Sequence, residues 1–216
     1  MFLGHFAVAM ASKKIAPKTS LGTLVASAQL LDLIWPPLLL LSIERVAIAP
    51  GLTPIAPLDF LHFPYSHSLL FVLLWAVLAG VGYARWNRNR KAGWVIGGLV
   101  LSHWVLDAIS HRPDVPILPD GPFVGGGLWF SLPATLIVEF GLFATGLAIY
   151  LRSTKPNRGK GVWGIRILAL VLALIYLASV FGPPPPSVPA VAVTALLGGF
   201  AFLWAFHRAD VGRRPV

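Results

Sequence analysis

Histidine and aspartate recur at helical spacing within one apolar segment of this chain. His103, Asp107 and His111 are each four residues apart, and residues four apart lie on the same face of an α-helix. A histidine and a carboxylate at this spacing can bind one metal ion, and a mixture of imidazole and carboxylate suits zinc, manganese or iron. The segment therefore predicts ligands for a divalent metal ion.

Acidic side chains inside other apolar segments strengthen this prediction. Asp32 and Glu139 join Asp107 in such segments, although the chain has only 8 acidic residues. A charged group near the bilayer centre costs about 2.5–3.5 kcal/mol, so some interaction must offset each of these charges. Counting about 1.5 Å of rise per helical residue places all three carboxylates, together with His103, in one layer of the membrane. A shared cation in that layer would offset their cost.

Histidines elsewhere in the sequence complete the set of candidate ligands. His62 and His67 lie at the start of the second long apolar segment, and His5 lies in a short apolar segment near the N-terminus. The neutral imidazole nitrogen is a ligand that zinc prefers. The predicted metal ligands are His5, Asp32, His62, His67, His103, Asp107 and His111.

Two further residues are predicted to take part in chemistry at this site. Glu139 would act as a general base, or as a further ligand. Arg112, which is adjacent to His111, would hold a phosphate oxygen as negative charge develops on it. For each candidate the alternative is structural, because buried polar side chains also join membrane helices through hydrogen bonds.

The composition indicates what kind of protein must position these residues. Of the 216 residues, 56% are hydrophobic and 12% are charged, and none is cysteine. Soluble domains carry about 25% charged residues, so this balance excludes a soluble domain, a disordered chain and a disulfide scaffold. Apolar runs of about 20 residues are long enough to cross a bilayer. The predicted spans are residues 21–41, 66–84, 93–110, 128–151, 163–182 and 188–206.

The predicted fold is therefore all-α, a polytopic membrane bundle of about six transmembrane helices preceded by a short half-membrane helix. The short helix corresponds to residues 2–11, which are apolar but too few to cross a bilayer. Such a segment is tolerated where its free end meets protein or a water-filled cavity. Ser66 is predicted to cap the helix that begins near His67, and Pro36 and Pro37 are predicted to kink the first span.

Basic residues predict the orientation of this bundle. The formal net charge is +9, and all 17 lysines and arginines except Arg45 and Arg112 fall on one face of a six-span path. The positive-inside rule makes that face and the C-terminus cytoplasmic, in an inner membrane of bacterial type, and the candidate site then opens toward the outer face. Because the basic clusters lie between spans, we expect no nucleic-acid partner. The clusters are Lys13, Lys14 and Lys18; Arg85, Arg88, Arg90 and Lys91; Arg152, Lys155, Arg158, Lys160 and Arg166; and Arg208, Arg213 and Arg214.

Taken together, these motifs resemble the membrane-bound metal-dependent hydrolases, a family also described as LexA-binding inner-membrane hydrolases. The resemblance covers about residues 1–151 and rests on His5, on Asp32, on segment 62–68 and on segment 102–107. It implies a membrane domain with metal-dependent hydrolase activity that uses these residues at its site.

Some positions depart from that family's pattern. Leu31 and Ile34 stand where the family has proline and a second aspartate, and Phe63-Pro64 stands where it has arginine and glycine. The order of the candidate ligands is also similar to that of zinc-dependent phospholipase C, a soluble helical enzyme with a trinuclear zinc site. This similarity implies one to three zinc ions and phosphoester chemistry. Residues 152–216 are expected to form two additional helices packed on the same bundle.

Three functions follow from these candidate residues. The first is an integral membrane metal-dependent hydrolase that acts on a lipid-like or other amphiphilic phosphoester through a metal-activated water. The second is a proton or metal-ion transporter that uses the same buried aspartates and histidines, although the sequence shows no paired broken helices and no inverted repeat. The third is a non-catalytic membrane subunit whose polar layer binds a partner helix or fixes the packing.

Overall fold

The structure of the chain, a computed structural model, describes residues 1–157 and 162–216. Two members of the predicted basic clusters, Arg158 and Lys160, lie outside the described residues. The helices are α1 Leu3–Ser12, α2 Leu21–Ala28, α3 Leu30–Leu40, α4 Pro64–His67, α5 Leu69–Trp86, α6 Arg90–Ser110, α7 Leu132–Ser153, α8 Gly164–Phe181 and α9 Val188–Val211, with a 3₁₀ turn at Leu128–Phe130. The strands are β1 Arg45–Ile48, β2 Leu58–His62, β3 Val115–Pro116, β4 Phe123–Val124, β5 Thr154–Pro156 and β6 Arg213–Pro215.

Helices long and apolar enough to cross a membrane make up most of the described chain. Five of them, α5 to α9, meet that description singly. Helices α2 and α3 meet it together, as one span that is bent by 55° at Gln29. The predicted polytopic helical bundle of about six spans is therefore confirmed. The sequence did not predict the strands, which pair as the antiparallel hairpins β1–β2, β3–β4 and β5–β6.

Short polar side chains begin five of these helices. Ser20, Ser68, Asn89, Ser131 and Ser187 each accept a hydrogen bond from the backbone N–H three residues further along the chain. Such a cap satisfies one of the N–H groups that the first turn of a helix leaves without a partner. Each of these serines and the asparagine therefore fixes the residue at which a helix begins.

The predicted cap of the second long span was wrong by two residues. Pro64 begins the separate short helix α4, and Ser66 lies inside it. Ser68 then adopts an extended conformation with φ −69° and ψ 142°, and its side chain caps α5 at the N–H of Phe71. Because it does not cap α5, the hydroxyl of Ser66 is free to contact other side chains.

The break in the first span lies at Gln29. The sequence predicted a kink at Pro36 and Pro37, but both prolines lie inside α3, beyond the break. The break leaves the carbonyl of Ala28, the last residue of α2, beside His103 of α6, whose Nδ1 is 2.6 Å away. It also places Asp32 in the first turn of α3. The bend is therefore the feature that brings α3 to the metal centre described below.

Helix α1 is a buried half-membrane helix, as predicted. Eight of its ten residues are buried, and it packs against α2, α6 and α7. A helix that is apolar on every side needs such surroundings. The approach to α7 is closest at Gly146, where an added Cβ would collide with the backbone of Ala7. The missing side chain at Gly146 therefore sets the position of α1.

Gly146→Leu should displace α1 and destabilise the protein. A leucine side chain has no space at the backbone of Ala7, and overpacking of this kind costs about 1–3 kcal/mol. Thermal unfolding in detergent measures the effect. Gly141→Leu on the same helix is the matched control, because a Cβ at Gly141 meets nothing within 4 Å. Equal melting temperatures for the two variants would contradict the prediction.

A buried ion pair anchors the other end of α1. Nζ of Lys13 lies 2.6 Å from Oδ2 of Asp210 in α9 and donates to the carbonyl of Thr19 at 2.8 Å. The same carboxylate accepts from the N–H of Leu21 at 2.9 Å and from the hydroxyl of Tyr150 at 2.7 Å. With this many partners the buried charges are fully compensated. Helix α9 thereby holds the turn between α1 and α2.

The two ends of the bundle differ in composition. Hairpins β1–β2 and β3–β4 lie at one end, which we call the hairpin end, where Arg112 pairs with Asp59 of β2. The opposite end, which we call the basic end, includes the turns around Lys18 and Arg88 and the hairpin β5–β6. There the hydroxyl of Tyr83 donates to Oγ1 of Thr19 at 3.2 Å and joins α5 to the α1–α2 turn.

Candidate metal centre

Five of the seven predicted ligands converge within the bundle. His5 comes from α1, Asp32 from α3, His67 from α4, and His103 and Asp107 from α6. They form two overlapping groups, the first of His5, His103 and Asp107 and the second of Asp32, His67 and His103. In each group one ligand atom from every residue lies within 4.8 Å of the others. Four separate helices therefore bring nitrogen and oxygen donors to one point.

The donor atoms surround a small common space. Oδ2 of Asp107 is 3.1 Å from Nε2 of His103 and 3.8 Å from Nε2 of His67. The Asp32 carboxylate faces the same two nitrogens, with Oδ1 3.7 Å from His67 and Oδ2 3.8 Å from His103. Ligands placed 2.0–2.1 Å from a tetrahedral zinc ion are about 3.3 Å apart. The spacing of the four side chains is thus close to that of ligands around one ion.

A backbone hydrogen bond orients the ring of His103. Its Nδ1 lies 2.6 Å from the carbonyl oxygen of Ala28. A carbonyl oxygen can only accept, so Nδ1 carries the proton and donates it. In the neutral ring Nε2 then presents its lone pair to Asp107. Metal-binding histidines use their second nitrogen in this way, to donate to a carbonyl or a carboxylate.

A chain of side chains orients His67 in the same sense. The hydroxyl of Ser66 donates to Oε2 of Glu44 at 2.6 Å, and the N–H of Ser66 donates to Oε1 of Glu44 at 2.8 Å. With its proton committed to that carboxylate, the hydroxyl can only accept from Nδ1 of His67, at 2.7 Å. Nε2 of His67 therefore also turns a lone pair toward the aspartates. Glu44 is 1% exposed.

This arrangement needs a positive charge between the rings and the carboxylates. Lone pairs of His67 and His103 and the carboxylates of Asp32 and Asp107 all point into one space, and such groups repel one another. Nε2 of His103 is buried and has no hydrogen-bond partner among the described residues. A proton or a metal cation would turn the repulsion into attraction. Four converging donors of nitrogen and oxygen type fit a divalent cation.

Burial differs sharply within the cluster. The side chain of Asp32 is 46% exposed, whereas that of His67 is 7% exposed and that of Asp107 is 5% exposed. His103 and His5 are also buried. A small molecule therefore reaches the cluster on the side of Asp32.

His5 supports the cluster from the α1 side. Its ring stacks on that of His103, with centroids 3.7 Å apart and planes inclined by 5°. Its Nε2 lies 3.1 Å from Oδ1 of Asp107, an oxygen that the amino group of Met1 also contacts. Its Nδ1 is buried and has no hydrogen-bond partner among the described residues. His5 is thus close enough to contribute a ligand, beside the four donors that share one space.

The contacts of Glu139 differ from those expected of the predicted general base. Its two carboxylate oxygens accept from the N–H of Phe2 at 2.8 Å and from the N–H of Gly4 at 2.9 Å. These are the N–H groups at the start of α1, where an unpaired donor in an apolar interior is costly and where a negative charge is favourable. Glu139 is fully buried. Its oxygens therefore hold the free end of α1 rather than facing the cluster.

Arg112 and His111 belong to a polar network at the hairpin end. The guanidinium of Arg112 pairs with Asp59 and, through Nε, with Oδ2 of Asp114 at 2.8 Å. Nδ1 of His111 lies 3.1 Å from Oδ1 of Asp114, and its ring lies 4.1 Å from that of Trp129. Burial lowers the pKa of His111. Neither residue is a member of the two ligand groups found in the described chain.

His62 lies at the end of strand β2, apart from both ligand groups of the described chain. In the hairpin it pairs with Arg45, and its ring lies 6.4 Å from the ring of Tyr65. The backbone turns at Phe63, before α4 begins. This turn directs His67 into the bundle and leaves His62 half-buried at the hairpin end.

The sequence did not indicate the roles of three residues beside the cluster. These residues are Ala28, Glu44 and Ser66. Their function depends on contacts between segments that are far apart in the chain. Glu44 and Ser66, for example, are 22 positions apart. One signal was available, because a serine directly before a candidate histidine can contact its ring. For Glu44 the sequence offers no such signal.

Comparison with known proteins identifies the family of this chain. Neither a curated protein nor a solved structure matches this chain. The expected relationships to metal-dependent hydrolases and to phospholipase C therefore stay predictions. The sequence profile described as YdjM inner membrane protein matches residues 1–182, which extends past residue 151 and includes every member of the candidate metal centre. The chain belongs to the YdjM inner membrane protein family.

Proposed function

We propose that this protein is an integral membrane metal-dependent hydrolase that cleaves a lipid-like phosphoester. The observation that carries the proposal is the convergence of two histidine lone pairs on two carboxylates in an apolar bundle. In the described chain Asp107 contacts the amino group of Met1, whereas the ion-pair contacts of Asp32 are with histidines alone, so a further cation in this space is favourable. A divalent ion bound there would lower the pKa of a water molecule toward 7 and polarise a phosphoryl oxygen.

The side chains of the cluster are assigned to hold the ion, and one of them, Asp32, is also assigned to proton transfer. We assign Asp32, His67, His103 and Asp107 to binding of the ion, with His5 as a further ligand or as support for Asp107. Zinc is the favoured ion, because nitrogen and oxygen donors at this spacing suit tetrahedral coordination.

Asp32 is the best candidate for proton transfer. As the exposed carboxylate it can accept a proton from an attacking water on a carboxylate oxygen. Glu139, the base expected from the sequence, is committed to the N–H groups of α1, so we assign it a positioning role. Arg112, the expected phosphate clamp, is committed to Asp59 and Asp114, and we assign it to the stability of the hairpin end.

The substrate class is inferred from the side on which the cluster is exposed. Asp32 belongs to a span that crosses the apolar layer, and its side chain is accessible while its neighbours are buried. An amphiphilic ester dissolved in the bilayer can approach such a position. We further propose that the basic end faces the cytoplasm, because the positive-inside rule favours that orientation.

Metal-dependent turnover tests this proposal. Purified protein, loaded with zinc or manganese, should release product from a panel of lipid phosphomonoesters and phosphodiesters, and a chelator should abolish the release. Asp32→Asn should lose turnover, while Asp120→Asn, which changes an exposed carboxylate at the hairpin end, should keep it. Protein that binds metal but cleaves no member of the panel would contradict the hydrolase proposal.

The break at Gln29 favours a second candidate, a metal-ion or proton transporter. Discontinuous helices beside ionisable residues are typical of transport sites, and the 55° bend lies next to Asp32. Flux of a divalent ion or of protons into proteoliposomes, abolished by Asp32→Asn and unaccompanied by ester cleavage, would support transport. Ester cleavage without flux would support the hydrolase.

A further inference from the structure

A groove of about 790 Å³ opens between α2, α5 and α6 at the basic end of the bundle. Its polar walls are formed by Lys18, Ser20, Thr23, Tyr83 and Asn87, beside the ring of Trp86. It lies apart from the five residues of the metal centre. Nothing in the proposed hydrolysis uses it.

Helix α2 turns a row of hydroxyl groups toward this groove. Ser20, Thr23 and Ser27 follow one another at intervals of three and four residues and line the groove together. Oγ of Ser20 and Oγ1 of Thr23 are 2.8 Å apart. The hydroxyl of Ser27 donates to the carbonyl of Thr23 at 2.9 Å, so the Ser20 and Thr23 pair retains the hydroxyl proton that can be donated to a polar partner in the groove.

The charge around the groove is positive and unopposed. Lys18 lines it, and no ion pair to Lys18 occurs in the parts of the chain that the structure describes. Asp210, whose carboxylate accepts from the N–H of Leu21 in this turn, is committed to Lys13 and Tyr150. Other basic residues of the same end are Lys14, Arg85, Arg88, Arg90 and Lys91. The groove is therefore complementary to an anion.

We propose that this groove binds the phosphate-bearing head group of an anionic bilayer lipid. Lys18 supplies the charge, and the hydroxyls of Ser20 and Thr23 and the amide of Asn87 supply hydrogen bonds to phosphate and glycerol oxygens. A lipid is favoured over a soluble anion because Trp86, 89% exposed at the end of α5, marks the level at which head groups lie. Basic pockets between membrane helices bind anionic lipids in this way.

Lipid binding to purified protein in detergent tests this proposal. The probes are phosphatidylglycerol, phosphatidylcholine and inorganic phosphate, and the readouts are the melting temperature and the lipid retained in native mass spectrometry. We expect phosphatidylglycerol to raise the melting temperature and phosphatidylcholine to leave it unchanged. Lys18→Gln should weaken phosphatidylglycerol binding about fivefold, the effect of one basic residue near an anionic surface.

Lys14→Gln is the matched control, since it removes an equal charge from the same turn without lining the groove. Equal loss of binding in both variants would overturn the proposal, because it would indicate a diffuse attraction to the basic end. Stabilisation by inorganic phosphate as strong as that by phosphatidylglycerol would also overturn it, in favour of a soluble anion. Loss confined to Lys18→Gln, with the metal content unchanged, would support it.

Discussion

Asp107→Asn should remove the bound metal while leaving the fold intact. Asp107 faces His5, His67 and His103 at once, so its charge is central to the cluster. An asparagine of the same shape keeps one oxygen acceptor but loses the negative charge that favours a cation. We expect metal affinity to fall by more than the roughly 10–100-fold typical of residues outside the ligand shell. Elemental analysis of purified protein measures the metal content.

Thermal unfolding should separate this effect from misfolding. In the wild type, added metal should raise the melting temperature, because an ion that binds the folded state stabilises it. In Asp107→Asn the same addition should have no effect. Without metal the variant should still unfold cooperatively but at a lower temperature than the wild type, because the buried amino group of Met1 loses the charge of its partner Asp107.

The exposed carboxylate of Asp120 provides the control for Asp107. Asp120→Asn makes the same chemical change at the hairpin end and should retain both the metal and its stabilising effect. If Asp107→Asn instead bound as much metal as the wild type, the cluster would be a set of structural hydrogen bonds, and the proposed function would lose its basis. A variant that failed to fold would support the same structural interpretation.

Glu44→Gln should weaken metal binding although Glu44 touches no metal ligand. Its Oε1 accepts from the N–H of Ser66, so a glutamine would keep its oxygen there and turn its amide N–H₂ toward the Ser66 hydroxyl. That hydroxyl would then donate to Nδ1 of His67, and the proton of the imidazole would move to Nε2. A protonated Nε2 cannot bind a cation. We expect a loss of affinity of about 10–100-fold, as for other residues that orient a metal ligand without binding the metal.

A chelator competition assay measures this loss, and neighbouring serines provide the controls. Ser66→Ala removes the acceptor for Nδ1 of His67 and should also weaken binding. Ser68→Ala removes a buried serine two residues away that only caps α5, so it should lower stability by about 1 kcal/mol and leave affinity unchanged. Equal affinities for Ser66→Ala and Ser68→Ala would contradict the relay from Glu44.

The sequence predicted those features that depend on local pattern. Apolar runs of spanning length locate α5 to α9, because the thickness of a bilayer fixes the number of residues required. The high cost of charge in an apolar layer singles out Asp32 and Asp107. Helical rise then places His103 at their depth, since a membrane helix converts position in the sequence into height. These groups lie at one depth because the bilayer restricts where charged groups are tolerated, as well as because of their positions in the sequence.

Contacts between distant segments could not be predicted in the same way. Nothing near Glu44 in the sequence indicates that β1–β2 will bring it to Ser66. The break at Gln29 also has no local signal in the sequence. Pro36 and Pro37 do signal a kink, but they lie within α3, beyond the break. Glu139 is of a residue type that can act as a catalytic base. Its contacts with the start of α1 become visible once the packing of α1 against α7 is known. A single sequence gives the type of each residue and its height within the membrane, but not the residues that it contacts.

The ion pair between Lys13 and Asp210 has a consequence for biogenesis. It ties α1 to α9, which leaves the ribosome nearly two hundred residues later. Until α9 has inserted, the end of α1 at Lys13 lacks the partner of its buried charge, although contacts with Glu139 and Gly146 hold the rest of the helix. We therefore expect α1, and with it His5, to take its final position only after α9 has inserted.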